Sequence, residues 1–209
     1  MDVVSGDTCS DLADYPVETD GSVGANIDGT PVICGGYTNT NTKNNKCYKL
    51  TNVGWQEFAS VKDAREYAVG VVYMNKLHVF GGFADGSRLQ TTELISMDGG
   101  VEYGPDLQAS VFYNAITSIN TTVSILSGGW TSNYVWTSSL TWYFNHDTGV
   151  FSSGPSLLEG RSSHGSATNV DKVTKARIAV VAGGLSSNLD SMDSTEMLIN
   201  GQWQSGTIQ

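Results

Sequence analysis

The sequence predicts an all-β protein, and three observations support this prediction. Apolar residues do not keep a helical period over three turns anywhere in the chain. Instead, a pair of adjacent glycines closes a short apolar segment four times, at Gly35-Gly36, Gly81-Gly82, Gly128-Gly129 and Gly183-Gly184. The second glycines of these pairs are 46, 47 and 55 residues apart. A repeat of about 50 residues with room for four short strands indicates a β-propeller, in which each repeat forms one sheet, or blade.

The segment before each glycine pair is short and rich in apolar residues. These segments are 31–34, 76–80, 123–127 and 178–182. We expect each of them to be the second strand of a four-stranded blade. A glycine pair at the end of such a strand permits positive φ and a close approach of neighbouring backbones.

An arginine lies upstream of two of the glycine pairs and opens a predicted strand. Arg65 precedes the second pair and Arg161 precedes the fourth. We expect Leu107-Gln108 to stand where the third unit would carry its arginine.

An aromatic residue recurs in the predicted last strand of each unit. Trp55 and Trp203 have this place in the first and fourth units, and we expect Tyr103 and Phe151 to take it in the others. The double glycine, the later aromatic residue and the arginine before the next strand together resemble the kelch repeat, over most of the chain. This resemblance implies a kelch-type β-propeller or a part of one. The tryptophan–aspartate signature of the other common propeller repeat is absent.

The repeat divides the chain into four blades with an N-terminal remainder. We expect residues 1–20 to be the remnant of a preceding blade or a closing strand. The predicted blades are about 21–60, 61–107, 108–158 and 159–209. Two arrangements fit this count: a segment of a larger propeller of about six blades, or four blades that close with the first twenty residues as a clasp.

The charge of the chain and the length of its apolar stretches argue against nucleic-acid binding and membrane insertion. Lys and Arg total 11 against 21 Asp and Glu, which gives a formal net charge of −10. A chain with this much negative charge repels the phosphate backbone of nucleic acids and anionic lipid. We therefore expect no nucleic-acid binding. No apolar stretch is long enough to span a bilayer, so we expect no membrane insertion.

Cysteine positions and one sequon favour an extracellular, secreted protein. Cys34 ends the second strand of the first blade and Cys47 begins the third, so a disulfide between antiparallel neighbours is predicted; two buried free thiols are the alternative. Cys9 is then left without a partner in this sequence. The cysteine-bearing stretches also resemble kelch domains of secreted invertebrate proteins. The sequon at Asn120 should lie at an exposed hairpin tip, where it is either a glycosylation site or a plain polar turn.

The sequence favours a protein without catalytic residues, metal or cofactor. His78, His146 and His164 fall in separate blades and lack the spacing of a local metal site. We expect His78 to be packed and His146 to face solvent in a hairpin. The rival interpretation is a sialidase-like hydrolase, because residues 96–100 have the spacing of one Asp box. That stretch occurs once and is also an ordinary tight-turn sequence.

The loops that follow the glycine pairs should open on one face of the molecule and form its binding surface. The candidate binding residues are Tyr37, Phe83, Arg88, Trp130, Tyr134 and Trp136. Tyr, Trp and Arg dominate interface hot spots because they combine a large contact area with a polar group. Packing of Trp130 against a neighbouring blade is the alternative for that residue. The sequence therefore predicts a non-catalytic recognition module for a protein partner. The alternative is a glycan-binding propeller that stacks sugar rings on the same aromatic residues.

Overall fold

The computed structural model describes residues 13–131, 137–170 and 175–206. Within these ranges the chain has twenty-two β-strands and no helix, and hence no helix that could cross a membrane. In chain order the strands are β1 (Thr19–Asp20), β2 (Val23–Ile27), β3 (Thr30–Cys34), β4 (Tyr37–Thr38), β5 (Lys46–Thr51), β6 (Gly54–Ser60), β7 (Val69–Tyr73), β8 (Lys76–Phe80), β9 (Phe83–Ala84), β10 (Ser87–Arg88), β11 (Thr92–Ser96), β12 (Val101–Tyr103), β13 (Val111–Phe112), β14 (Ala115–Ser118), β15 (Val123–Ser127), β16 (Trp130–Thr131), β17 (Thr141–Asn145), β18 (Val150–Ser153), β19 (Gly165–Val170), β20 (Arg177–Ala182), β21 (Thr195–Ile199) and β22 (Gln202–Ser205).

Sixteen of these strands form four antiparallel four-stranded sheets. Sheet 1 has the order β2-β3-β5-β6, sheet 2 β7-β8-β11-β12, sheet 3 β14-β15-β17-β18 and sheet 4 β19-β20-β21-β22. The other six form the short pairs β1-β4, β9-β10 and β13-β16. Each sheet is therefore built from neighbouring strands in chain order, with only strands of the short pairs between them, and the all-β class is confirmed.

The four glycine pairs directly follow the second strands of the four sheets, β3, β8, β15 and β20. All eight glycines have φ between +61° and +99°. A Cβ on Gly35, Gly81 or Gly128 would lie 2.6, 2.4 or 2.3 Å from a carbonyl oxygen of the segment that opens the next unit. Glycine is needed at these positions because both the backbone angle and the neighbouring backbone exclude a side chain.

Consecutive units are joined where each opening segment meets a glycine pair. The second glycine of each of the first three pairs donates its N–H to the carbonyl of Arg65 (2.8 Å), Val111 (2.9 Å) or Arg161 (2.8 Å). Val111 is therefore the counterpart of the two arginines, and the prediction of Leu107-Gln108 for that place is wrong. Leu107 instead corresponds to Leu157. The backbone N–H of each leucine donates to a carbonyl of the segment that precedes the third strand of the same sheet.

The aromatic position of the last strand also differs in one unit. Trp55, Phe151 and Trp203 hold equivalent register positions in the last hairpins of their sheets. In sheet 2 that position belongs to Val101, so the prediction of Tyr103 is wrong, and Tyr103 is 51% exposed. Residues two apart point to the same face of a strand, so the alternating pattern alone does not separate Val101 from Tyr103.

The sheets pack face to face in chain order, with β2 against β7, β7 against β14 and β14 against β19. Three apolar cores lie between them. Their members include Val32, Leu77, Val79 and Ile95 for sheets 1 and 2, Phe80, Leu126 and Phe144 for sheets 2 and 3, and Ile125, Val181 and Trp203 for sheets 3 and 4. This arrangement is compatible with a β-propeller-like fold, although no closed ring of sheets is seen among the described residues.

Two buried arginines connect the opening segment of their unit to the sheet of the same unit through hydrogen bonds and an ion pair. Arg65 donates to the carbonyls of Gly81 (2.7 Å) and Thr91 (3.0 Å) and pairs with the Glu93 carboxylate at 2.6 Å. The second oxygen of Glu93 accepts the backbone N–H of Lys62 at 2.7 Å. The network therefore ties three parts of the unit together in a region closed to solvent.

The same network recurs in sheet 4. Arg161 donates to the carbonyls of Gly183 (2.9 Å) and Ser194 (3.1 Å) and pairs with Glu196 at 2.8 Å. In sheet 3, where Val111 replaces the arginine, Trp142 stands at the position of the glutamate. The acid is thus present only in the units whose opening residue is an arginine, which is the expected outcome if a buried charge needs its partner.

A disulfide joins Cys34 to Cys47, which are register partners of β3 and β5 with Cα atoms 4.1 Å apart. This confirms the predicted bond. Cys9 lies outside the described residues. Because disulfides persist in oxidising compartments, the bond is weakly consistent with an extracellular location.

Asn120 lies at the exposed turn between β14 and β15, where the sequence places it. Its side-chain oxygen accepts the backbone N–H of Thr122 (2.8 Å) and of Val123 (2.7 Å). The turn is thus a local Asx turn.

Candidate functional site

Four of the six predicted binding residues lie in the short strand pairs that follow the glycine pairs. Tyr37 is in β4, Phe83 in β9, Arg88 in β10 and Trp130 in β16. All four side chains are half-buried. The predicted residues Tyr134 and Trp136 lie outside the described residues.

The turn at each of the first three glycine pairs holds these strands against the opening segment of the same unit. Phe83 exchanges two backbone hydrogen bonds with Glu66, at 2.9 and 3.1 Å. Gly82 makes this approach possible, because a Cβ there would be 2.7 Å from the Glu66 carbonyl oxygen. The post-glycine loop is therefore held on the opening segment of its own unit.

Four segments of the chain bring five aromatic rings together, of which only Phe112 is buried. Phe83 packs against Phe112 with ring centroids 5.4 Å apart, and Phe112 against Trp130 at 5.0 Å. Tyr113 bridges Trp130 at 5.3 Å and Tyr67 at 4.3 Å. We call Tyr67, Phe83, Phe112, Tyr113 and Trp130 the aromatic cluster. The packing alternative for Trp130 is confirmed, because its Nε1 donates to Ser162 of the next unit at 2.9 Å, and its role in binding stays a prediction.

Sequence reasoning missed three members of the aromatic cluster, namely Tyr67, Phe112 and Tyr113. The signal that would find them is the opening segment: Tyr67 follows Arg65 by two residues, and Tyr113 follows its counterpart Val111 by two. Both tyrosines have positive φ, +52° and +56°, which is rare for an aromatic residue. The backbone hydrogen bond from Tyr113 N–H to the Tyr67 carbonyl, at 3.3 Å, links these unusual residues.

Two cations lie against the aromatic rings of this face. The Lys43 ammonium is 5.1 Å from the centre of the Phe83 ring and forms a salt bridge with Glu66 at 2.9 Å. The same ammonium is 5.2 Å from the Tyr37 ring, which connects Tyr37 to the cluster. The Arg88 guanidinium is 5.4 Å from the Phe112 ring, and its Nε has no hydrogen-bond partner in the described part of the chain.

The two tyrosines of the cluster remain protonated at any physiological pH. Burial is the main cause that raises the pKa of Tyr113 far above its usual range, with a further contribution from its hydrogen bond with Tyr67. Burial is also the largest cause that raises the pKa of Tyr67. Both side chains therefore present neutral phenols, which can donate and accept hydrogen bonds.

An acidic hollow of about 340 Å³ adjoins the surface beside Tyr37. Glu18 and Asp20 contribute its charge, and Asn39, which hydrogen-bonds Glu18, contributes an amide. The Tyr67 hydroxyl donates to Asp20 at 3.4 Å, so the hollow and the aromatic cluster are continuous. The face thus combines aromatic rings, two half-buried cations and an acidic margin.

The three histidines do not meet at this face. His78 is buried, as predicted, and its Nε2 is 3.1 Å from the Thr92 hydroxyl. His146 lies in the predicted hairpin turn, but its ring is half-buried and stacks on Tyr73 at 4.6 Å, and burial lowers its pKa to about 4. Among the described residues, no group of three or more His, Cys, Asp or Glu side chains could hold a metal ion.

The Asp-box-like stretch forms the hairpin turn between β11 and β12. The Gly100 N–H donates to the Asp98 carboxylate at 3.1 Å, and Gly99 has φ +94°. These are the contacts of an ordinary tight turn. Of the four arginines in the chain, Arg65 and Arg161 are buried in the structural networks described above.

Comparison with known proteins adds no assignment. No family model matches the chain. No curated protein is significantly similar to it.

Proposed function

We propose that the chain forms a kelch-type β-propeller, or a part of one, and acts as a non-catalytic recognition module. Its protein partner binds the face that carries the aromatic cluster. The propeller assignment is supported by the four glycine pairs at equivalent sheet positions and by the recurrent junction between units.

One observation supports the recognition role. Phe83, Arg88 and Trp130 lie next to Tyr67 and Tyr113 on one face. These residues come from four segments that are separated in sequence by strands. Half-buried aromatic rings supply contact area at low cost in side-chain entropy, and the phenols and the guanidinium supply polar anchors.

The chemistry of this face selects the kind of partner. The rings offer an apolar centre, and the acidic hollow beside Tyr37 offers a negative margin. A partner that complements both presents an apolar or aromatic residue flanked by basic side chains. With a net charge of −10, the chain as a whole also attracts basic proteins. The disulfide and the exposed sequon at Asn120 support an extracellular setting for this encounter.

Two substitutions test the proposal. Phe83→Ala and Arg88→Ala remove an aromatic anchor and a cation from the face, and each should lower affinity for the partner by about thirtyfold, or about 2 kcal/mol. The partner is first captured from extracellular extract by the purified chain, and its affinity for each variant is then measured with purified components.

Matched controls lie at the opposite end of the sheets. Val53 is exposed in the β5–β6 hairpin, and Lys76 begins β8. Val53→Ala and Lys76→Ala should leave the affinity unchanged. The proposal fails if the partner binds the Phe83 and Arg88 variants as tightly as it binds these controls, while all four proteins keep their melting temperatures. A glycan array probed with the same variants decides the alternative, in which a sugar ring stacks on the aromatic cluster.

A further inference from the structure

An open surface hollow of about 550 Å³ lies between the β7–β8 turn and the β14–β15 turn. Tyr73 and Met74 of the first turn and Asn120 of the second are among its lining residues. We call it the sequon hollow, because Asn120-Thr121-Thr122 is the single Asn-X-Ser/Thr sequence of the chain. Both turns precede the strands β8 and β15, whereas the glycine pairs follow these strands, so the hollow lies at the end of the sheets opposite the aromatic cluster.

The Asn120 amide uses its oxygen in the turn and leaves its nitrogen unused. The oxygen accepts the backbone N–H of Thr122 (2.8 Å) and of Val123 (2.7 Å), and also the Thr122 hydroxyl at 3.3 Å. The side chain is exposed, and its Nδ2 makes no hydrogen bond with the described residues. A substituent on Nδ2 therefore breaks no contact of the turn.

A second turn close by shows what is special about Asn120. The N–H of His146 donates to the Thr122 carbonyl at 2.8 Å, which ties the two turns together. Asn145 makes the same kind of turn, since its side-chain oxygen accepts the N–H of Asp147 at 3.0 Å and that of the next residue at 3.1 Å. The third position there is an aspartate instead of a hydroxyl residue. Only the Asn120 turn therefore has the sequence of a glycosylation acceptor.

The sequon hollow also contains a large apolar side chain that the fold leaves uncovered. Met74 is 77% exposed, more than any other large apolar residue in the described part of the chain. Its φ of +46° places it in a tight turn, where Asn or Asp is several-fold more common than other residues with a side chain. The neighbouring Tyr73 is half-buried and its hydroxyl donates to the Asp147 carboxylate. Arg177, which is exposed, adds a guanidinium to the lining.

The innermost sugar of an N-linked oligosaccharide, N-acetylglucosamine, matches this lining. The C–H face of its ring can cover the methionine side chain. Its hydroxyl groups both donate and accept, so they can bond the Asp147 carboxylate and the Arg177 guanidinium. Hydrogen bonds to charged groups of this kind are stronger than those between neutral groups.

We propose that Asn120 carries an N-linked oligosaccharide and that its innermost N-acetylglucosamine lies in the sequon hollow and covers Met74. In the transfer, a bond forms between Asn120 Nδ2 and C1 of the sugar, and the bond between C1 and a lipid-linked diphosphate breaks. The diphosphate is the leaving group, and a base of the transferring enzyme takes the amide proton. The modification rests on the extracellular setting proposed above, because this transfer occurs in the secretory pathway.

A sugar at this position leaves the proposed protein interface free. Asn120 precedes β15 and Trp130 follows it, and the five residues of this strand span about 16 Å. The oligosaccharide therefore shields one end of the sheets, while the aromatic cluster stays accessible at the other.

Secretion of the full chain from insect cells behind a cleavable leader tests the attachment. The intact mass should exceed that of the polypeptide by one oligosaccharide, and peptide N-glycosidase should remove the excess. Asn120→Gln and Thr122→Ala should each abolish the added mass. Thr121→Ala is the matched control and should keep it, since the middle position of a sequon accepts any residue except proline.

Oxidation by dilute hydrogen peroxide tests where the sugar lies. Methionine oxidation follows exposure, so Met74 in the glycosylated chain should react at about one third of its rate in Asn120→Gln and Thr122→Ala, or more slowly. The protection should survive when an endoglycosidase trims the oligosaccharide to a single N-acetylglucosamine. Met197 does not line the sequon hollow and should react equally in all forms, as peptide mass mapping can measure.

Two outcomes would overturn the proposal. A secreted chain without added mass contradicts the attachment, and equal oxidation of Met74 with and without the sugar contradicts its place in the hollow. Asn120→Gln should bind the protein partner as tightly as the glycosylated chain does, whereas Phe83→Ala and Arg88→Ala should keep the added mass. Failure of the glycosylation site and failure of the proposed interface are thus distinguishable.

Discussion

Replacement of Arg65 by methionine should be among the most destabilising single substitutions in this protein. The Arg65 side chain is 1% exposed and its partner Glu93 is fully buried, with 2.6 Å between the charged atoms. Methionine retains an unbranched stem but no donor. The Glu93 carboxylate would then be buried without a cation, and the carbonyls of Gly81 and Thr91 would each lose a hydrogen bond.

The expected magnitude follows from this burial. Removal of one partner from a buried ion pair costs about 3–5 kcal/mol, because the other charge stays desolvated and uncompensated. For a chain of this size, 1 kcal/mol lowers the melting temperature by about 2–4 °C. Arg65→Met should therefore lower it by about 6–20 °C, a large part of a typical stability of about 5–15 kcal/mol.

Thermal and urea unfolding followed by circular dichroism measure the effect. The control is Lys46→Met, because Lys46 pairs with Glu57 at 2.7 Å but both side chains are more than 40% exposed. An exposed ion pair contributes little, so this variant should unfold close to the wild type. In a double-mutant cycle, Arg65→Met combined with Glu93→Gln should cost less than the sum of the two single changes, since no buried charge remains. If Arg65→Met lowers the melting temperature no more than Lys46→Met, the buried pair is not what stabilises the unit.

Three further predictions concern the backbone, the thiols and pH. Gly82→Ala should destabilise more than Gly86→Ala: both glycines have positive φ, but a Cβ meets a carbonyl at 2.7 Å only at Gly82 and open space at Gly86. Unfolding curves compare the two, and equal losses would refute the role of that contact. Titration of the unfolded, unreduced chain should find one reactive thiol of the three cysteines, and finding three would disprove the bond between Cys34 and Cys47. Burial lowers the pKa of His78 to about 3 from an ordinary value of 6.5. Below pH 6.5 the unfolded chain therefore binds a proton that the folded chain does not, and stability should fall with pH by about 1.4 kcal/mol per unit from this residue, down to its folded pKa. His78→Gln should flatten that slope in urea unfolding series, and an unchanged slope would contradict the assignment.

Local sequence was sufficient for the features that depend on the chain's own strands and turns. The glycine pairs identified the ends of β3, β8, β15 and β20, because a positive φ after an apolar strand is a requirement that few residues other than glycine meet. The disulfide was predictable for a similar reason. Cys34 and Cys47 flank one loop between antiparallel neighbours, so their pairing depends on a single hairpin-like connection.

Register and spatial neighbours were decided only by the tertiary structure. Val111 takes the place of an arginine and Val101 that of an aromatic residue, and the alternation of apolar and polar residues alone does not specify either position. Contacts across units are even less visible in sequence. Tyr67 meets Tyr113 at 4.3 Å although forty-six positions separate them, because equivalent turns of successive sheets stack on one another.

The candidate sites divide in the same way. The sequence named Phe83, Arg88 and Trp130 because they follow glycine pairs, and Tyr134 and Trp136 stay predictions outside the described residues. It gave no reason to select Phe112 or Tyr113, which join Phe83 to Trp130 in the aromatic cluster. The sequence by itself determined the sheets and the turns between them; the packing of those sheets around a common centre decided which side chains meet.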